Sequence, residues 1–158
     1  MIKNFLLIIF LIFTFQHQAL ATTYSGVDLK VVDIDGKIFN INDQKNKAVL
    51  VLFWAQWCNY CRKEMVYLDE VYQEYKDLGL EIIALSIDNK QNQEKMVAFA
   101  RKFSYRSAFF EDAKTSFSNT KNVVPLIQIV DHKRSVIYSL TGYVSKDEIV
   151  NAVKKALE

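Results

Sequence analysis

Both cysteines of the chain, Cys58 and Cys61, lie in the stretch "FWAQWCNYC" (Phe53 to Cys61), separated by two residues and preceded by both tryptophans, Trp54 and Trp57. Two thiols at this spacing suit three chemistries: half of a zinc site, a short structural disulfide, or a dithiol that opens and closes in exchange with another molecule. Zinc needs further ligands. No second cysteine pair exists, and the histidines are His17, inside the N-terminal leader, and His132, in a polar turn far along the chain. A structural bond closing so short a loop removes little entropy from the unfolded chain. Exchange has a positive mechanism. If a strand ends at Trp57 and a helix begins near Asn59, Cys58 meets free backbone N–H groups and the positive end of the helix dipole, which favour thiolate over thiol. Cys58 is then the exposed nucleophile, and Cys61, in the first helical turn, is the resolving thiol that releases the partner and closes the Cys58–Cys61 disulfide.

The flanking sequence supplies those elements. "KAVLVLFWA" is a nearly unbroken apolar run of strand length, which predicts a strand buried on both faces. From Asn59 to about Leu78, Met65, Leu68, Val71, Tyr72 and Tyr75 recur at helical spacing, and Gly79 follows as a stop. Upstream, Val27 to Asp43 alternates apolar and polar residues on both sides of Asp35-Gly36, the pattern of a β-hairpin. Downstream, "LEIIALSID" predicts a second buried strand, Gln93 to Phe103 a helix, "SAFFED" a short strand, and Ala113 to Phe117 a short helix. "PLIQIVD" and "SVIYSLTG" predict two strands joined by a turn at Asp131 to Arg134. Ser145, with Glu148 at the capping-box position, opens a last helix to Leu157. The order is α/β with an antiparallel finish.

With 158 residues, 51% hydrophobic and 24% charged, the chain suits one globular domain. Part of the apolar mass is N-terminal: Lys3, the run Phe5 to Phe15, polar Gln16 to Gln18, then Ala19-Leu20-Ala21, the order of a signal peptide over residues 1–21 ahead of a domain at 22–158. The alternative is an uncleaved anchor, although the run is shorter than the roughly 20 residues that span a bilayer. A formal charge of +2, with Lys and Arg scattered among Asp and Glu, marks no nucleic-acid surface. Export places the domain where disulfides form, yet two cysteines are too few for a disulfide-stapled scaffold.

"FWAQWCNYC" running into "CRKE", the strand before it, and "VVPLIQIVD" resemble the thioredoxin fold. More closely, they resemble the exported TlpA-like thiol-disulfide oxidoreductases, which include reductants of cytochrome c maturation. The resemblance runs from about Val27 to Leu157 and takes in the N-terminal hairpin and an extra helix-strand insertion between Asp88 and Asp112. It implies a thioredoxin-like fold, a central mixed β-sheet flanked by helices. It also implies catalysis without a bound cofactor or metal, protein thiol or disulfide partners, and a membrane electron donor or acceptor. The location it implies is the periplasm or another exported site in the bacterial cell envelope, with membrane contact only through an uncleaved N-terminal segment. Pro125, the only proline, stands where the family has a cis-proline facing the cysteines, so Val124-Pro125 is expected to be cis and the Val124 backbone to pair with an extended substrate segment. The alternative is a trans proline starting an edge strand.

Three positions depart from the family pattern. Tyr60 replaces the common proline before the second cysteine, Val66 stands where a proline commonly kinks the helix, and Leu52 takes the place of the buried aspartate of thioredoxins. Glu64 lies three residues beyond Cys61 on the same helix face and matches a glutamate of the cytochrome-maturation members, implying a proton carrier for the cysteines. The alternative is a solvated glutamate beside Arg62 and Lys63. Trp57 and Tyr60, on the turn itself, are candidates for an apolar rim against which a partner docks; Trp54 belongs either to that rim or to the core. The resemblance favours a reductant of selected proteins such as apocytochrome c or copper-site assembly proteins. The other readings are an oxidant of folding proteins, a metal carrier, and a binding module with a structural disulfide.

Overall fold

The computed structural model describes residues 26–45, 47–119 and 122–158, so the leader expected over residues 1–21 lies outside the described residues. The expected hairpin opens the described chain. Strands β1 (Leu29–Val32) and β2 (Ile38–Asn40) pair antiparallel, joined by a turn in which Asp33 Oδ1 accepts the Lys37 N–H at 2.8 Å and Gly36 takes φ 78°, a conformation open to glycine because it lacks Cβ. The apolar run that follows is β3 (Ala48–Trp54), and all seven of its residues are buried. After the cysteine turn comes α1 (Asn59–Tyr75), extended by a single 3-10 turn to Leu78 and stopped at Gly79, whose φ is 105°. Then follow β4 (Leu80–Ser86), α2 (Gln93–Ala100), β5 (Arg106–Phe109), β6 (Lys114–Thr115), β7 (Leu126–Val130), β8 (Val136–Thr141) and α3 (Lys146–Leu157).

Five strands form the main sheet in the order β5-β4-β3-β7-β8. β3, β4 and β5 run parallel, while β7 and β8 return antiparallel, which makes the sheet mixed as expected. Side chains alternate across a strand, and in β3 that alternation sorts two cores. Ala48, Leu50, Leu52 and Trp54 join a cluster with Met65, Leu68 and Val71 of α1, Met96 of α2 and Ile149 and Val153 of α3. Val49, Val51 and Phe53 face the opposite cluster, built with Leu29, Val31 and Phe39 of the hairpin. Thus β3 is doubly buried because helices cover one face and the small β2-β1-β6 sheet covers the other. Leu52, at the thioredoxin aspartate's place, is fully out of solvent in the helix-side core.

Two expectations need correction. The helix predicted near Ala113 to Phe117 is absent: a 3-10 turn at Phe110–Asp112 leads into β6, which pairs antiparallel with β1. The Asp28 carbonyl there accepts both the Thr115 hydroxyl at 2.7 Å and the Ser116 N–H at 3.0 Å. Helix α2 ends at Ala100 rather than Phe103, because the N–H groups of Lys102 and Phe103 bond three residues back, to Phe99 and Ala100, and wind the tail into tighter turns.

Candidate active site

β3 stops at Trp54 rather than at the expected Trp57, and the cysteine turn grows out of the three residues that follow. Cys58 is the N-cap of α1, with extended backbone (φ −83°, ψ 104°). Its N–H donates to the Ala55 carbonyl at 3.0 Å, its own carbonyl accepts the Arg62 N–H at 3.1 Å, and its Sγ accepts the Cys61 N–H at 3.1 Å. The sulfur therefore satisfies one of the donors left free at a helix start. Cys58 and Cys61 are joined in a disulfide. Neither sulfur stands out into solvent: Cys58 is 7% exposed and Cys61 is fully covered. The expectation that Cys58 stands exposed is therefore not met: as the N-cap, bonded back to Ala55 and joined to Cys61, it is buried with its partner. A tether not foreseen from the sequence holds the loop ahead of them. Asp88 Oδ2 accepts the Gln56 N–H and the Ser86 hydroxyl, each at 2.7 Å.

Val124-Pro125 is cis. Its place follows from register: Leu126 pairs with Phe53, so the antiparallel ladder brings Pro125 alongside the end of β3, where the cysteine turn begins. Val124 precedes the paired residues of β7, which begin at Leu126. Trp57 and Tyr60 are 65% and 60% exposed on the turn, while Trp54 is fully buried; of its two readings, core holds. Trp54→Ala should therefore cost about 3–5 kcal/mol in urea unfolding, whereas Trp57→Ala should stay within about 0.5 kcal/mol. A large loss at Trp57 would mean that its ring packs in solution.

Glu64 overturns the solvated alternative and the expectation that its position is exposed, because its side chain is fully buried. Arg62 and Lys63 do not accompany it. At about 100° per residue Arg62 falls on the opposite face of α1 with Asn59 and Val66, and Lys63 lies about a quarter turn round the helix from Glu64. One Glu64 oxygen accepts the Val144 N–H at 2.7 Å, and the other has no hydrogen-bond partner. Burial pushes the carboxyl from 4.5 up to about 7, against the opposing pull of the Val144 N–H. Tyr67, one turn further along α1, donates its hydroxyl to the Val144 carbonyl, and burial followed by the nearby Glu64 charge raises its own pKa.

The loop between β8 and α3 was not foreseen as part of the site. Its Gly142 N–H donates to the Pro125 carbonyl at 2.8 Å, its Val144 N–H holds Glu64, and its Tyr143 ring lies 5.9 Å from the Tyr60 ring. Tyr143 is 55% exposed and extends the aromatic rim. The spacing of Tyr67 from Glu64 could have flagged that pair; backbone amides of Gly142 and Val144 leave no trace in residue type. Among the described residues, no three His, Cys, Asp or Glu side chains converge as metal ligands.

A dithiol borne on this sheet and helix defines a class, the thiol-disulfide oxidoreductases of thioredoxin fold. The chain belongs to the AhpC/TSA family, whose profile matches residues 23–149. It is 33% identical over 127 residues to thiol-disulfide oxidoreductase ResA of Bacillus thuringiensis subsp. konkukian, covering 79% of this chain and 72% of that protein. With ResA of Geobacillus kaustophilus it shares 31% over 137 residues, 85% of this chain and 77% of the relative. A thiol:disulfide interchange protein of Chlorobium tepidum superposes with a TM-score of 0.68 at 20% identity, covering 84% and 95% of the two chains, a likeness of fold. The thioredoxin domain of a thiol-disulfide oxidoreductase from Bacteroides vulgatus gives 0.63 at 28% identity, covering 82% and 92%. The protein is an oxidoreductase of this kind, and its TlpA-like placement stands.

Proposed function

We propose that the protein reduces disulfides in selected exported proteins, with Cys58 as nucleophile and Cys61 as resolving thiol. The Cys58 thiolate attacks one sulfur of the partner's disulfide. That S–S bond breaks, the partner's other sulfur leaves as a thiolate and takes a proton, and a mixed disulfide remains. Cys61 then loses its proton and attacks Cys58 Sγ, the partner's second sulfur leaves, and the enzyme ends as the disulfide. Two electrons pass to the partner. Glu64, with a pKa of about 7, is poised to accept and return the Cys61 proton. Val124 and Pro125 present backbone to an extended substrate strand, and Trp57 and Tyr60 give it an apolar rim.

The direction rests on one observation, the buried Glu64 carboxyl three residues beyond Cys61. Ionised, that carboxylate opposes loss of the proton from Cys61, and a dithiol whose resolving thiol holds its proton is the better electron donor. The apolar leader supports export to the cell envelope, and a membrane electron donor would recharge the disulfide. No helix among the described residues is long and apolar enough to cross a membrane. Apocytochrome c and copper-site assembly proteins are the partners favoured by the family resemblance. Equilibration against glutathione tests the direction. A potential of about −200 mV or lower is expected of a reductant, and one near about −120 mV would mark an oxidant and overturn the proposal.

A further inference from the structure

Asn59, Arg62, Lys63 and Val66 follow one another at i, i+3, i+4 and i+7, which places them on a single face of α1 turned away from the core. That face borders a groove of about 370 Å³ whose far wall is Phe99 of α2. The groove begins at the residue next to Cys58. Its lining combines apolar Phe99 and Val66, the latter 55% exposed, with the cations Arg62 and Lys63. Lys63 lies 5.9 Å from the Tyr60 ring centroid and Lys102 lies 5.5 Å from that of Phe99. The ion pairs formed among the described residues involve Lys47, Lys90, Arg101, Arg106 and Lys146. Arg62, Lys63 and Lys102 are not among them, and among the described residues the Arg62 guanidinium donates to the Asn59 side-chain oxygen. Uncompensated cations beside exposed apolar surface suit a partner that brings carboxylates and an aliphatic side chain together.

Resting on the exchange reaction above, we infer that this face selects partners whose reactive cysteine is flanked by a short acidic-apolar segment. From Asn59 to Val66 the helix rises about 10 Å, the length of about three residues of extended chain. The segment read is thus within a few residues of the sulfur that Cys58 attacks. Apolar contact with Val66 and Phe99 holds it, while Arg62, Lys63 and Lys102 set the sign of charge accepted.

The test uses the reduced protein and two peptides that differ only in the residues on either side of one cysteine, Asp-Leu-Asp or Lys-Leu-Lys. The cysteine carries an uncharged thiopyridyl disulfide whose release is followed by absorbance. At low salt the acidic peptide should react roughly tenfold faster than the basic one, and the ratio should shrink towards one at about 0.5 M salt. Arg62→Gln/Lys63→Gln should bring the ratio near one and Arg62→Glu/Lys63→Glu should invert it. Lys154→Glu/Lys155→Glu, the same charge change at the exposed end of α3, should leave it in place. Using a ratio cancels any change in the reactivity of Cys58 itself. Release without discrimination, or a preference that survives both Arg62/Lys63 variants, overturns the inference alone. If neither peptide releases thiopyridone, the exchange reading falls, and this inference with it.

Discussion

Cys61→Ser, expressed with the native N-terminal segment, is expected to accumulate covalent adducts that a reductant dissolves, while Cys58→Ser gives none. The asymmetry follows from the site. Cys58 caps the start of α1 and keeps the little exposure the pair has, while Cys61, fully covered in the first turn, is joined to it in the disulfide. Once a hydroxyl replaces the resolving thiol, attack by Cys58 stops at the mixed disulfide because no second sulfur can displace the partner. Steady turnover of a protein disulfide should fall to background in both variants, but only one of them carries cargo. The identity of that cargo decides between functions. A few adducts, rich in haem-attachment or copper-site proteins, support the selective reductant. A broad spread of secreted proteins points to a general oxidant. Adducts on Cys58→Ser instead would reverse the two roles.

Glu64→Gln should stabilise the oxidised protein in alkaline conditions and leave it nearly unchanged in acid. The carboxyl titrates at about 7 in the fold against 4.5 ordinarily. Between those values the folded state holds a proton that the unfolded chain has lost, so stability falls as pH rises through the window. The contribution is fully present below about 4.5 and gone above about 7. Gln cannot ionise, and its side-chain oxygen can still accept the Val144 N–H. Urea unfolding at about pH 5 and about pH 8 should therefore show the variant gaining up to about 3 kcal/mol over the parent between the two. A gap that does not widen with pH would mean that Glu64 is hydrated in solution.

What could be read from the sequence follows from the range of the forces involved. β3 and α1 were legible because burial on two faces, or on one stripe, writes itself into consecutive residues. The cysteine turn was legible because both thiols and the strand-to-helix junction lie within one short stretch. Glu64 was placed on the correct face by its spacing from Cys61, but its burial depends on the Val144 turn, 80 residues away in sequence. No local pattern carries that information. Lys114 and Thr115 make the same point for secondary structure, since their strand exists through pairing with Leu29 and Lys30, and long-range pairing overrides local preference.

The double cover of β3 also sets how the redox centre behaves in time. A strand held by two independent cores, with paired neighbours on both edges, opens only when the domain as a whole opens. Cys58 lies four residues beyond its end, and Asp88 ties the intervening loop to the adjoining end of β4. The dithiol is therefore moored to a strand that opens with the domain as a whole. Its sulfur chemistry can cycle many times within the lifetime of a single folded state, without the reactive turn fraying between turnovers.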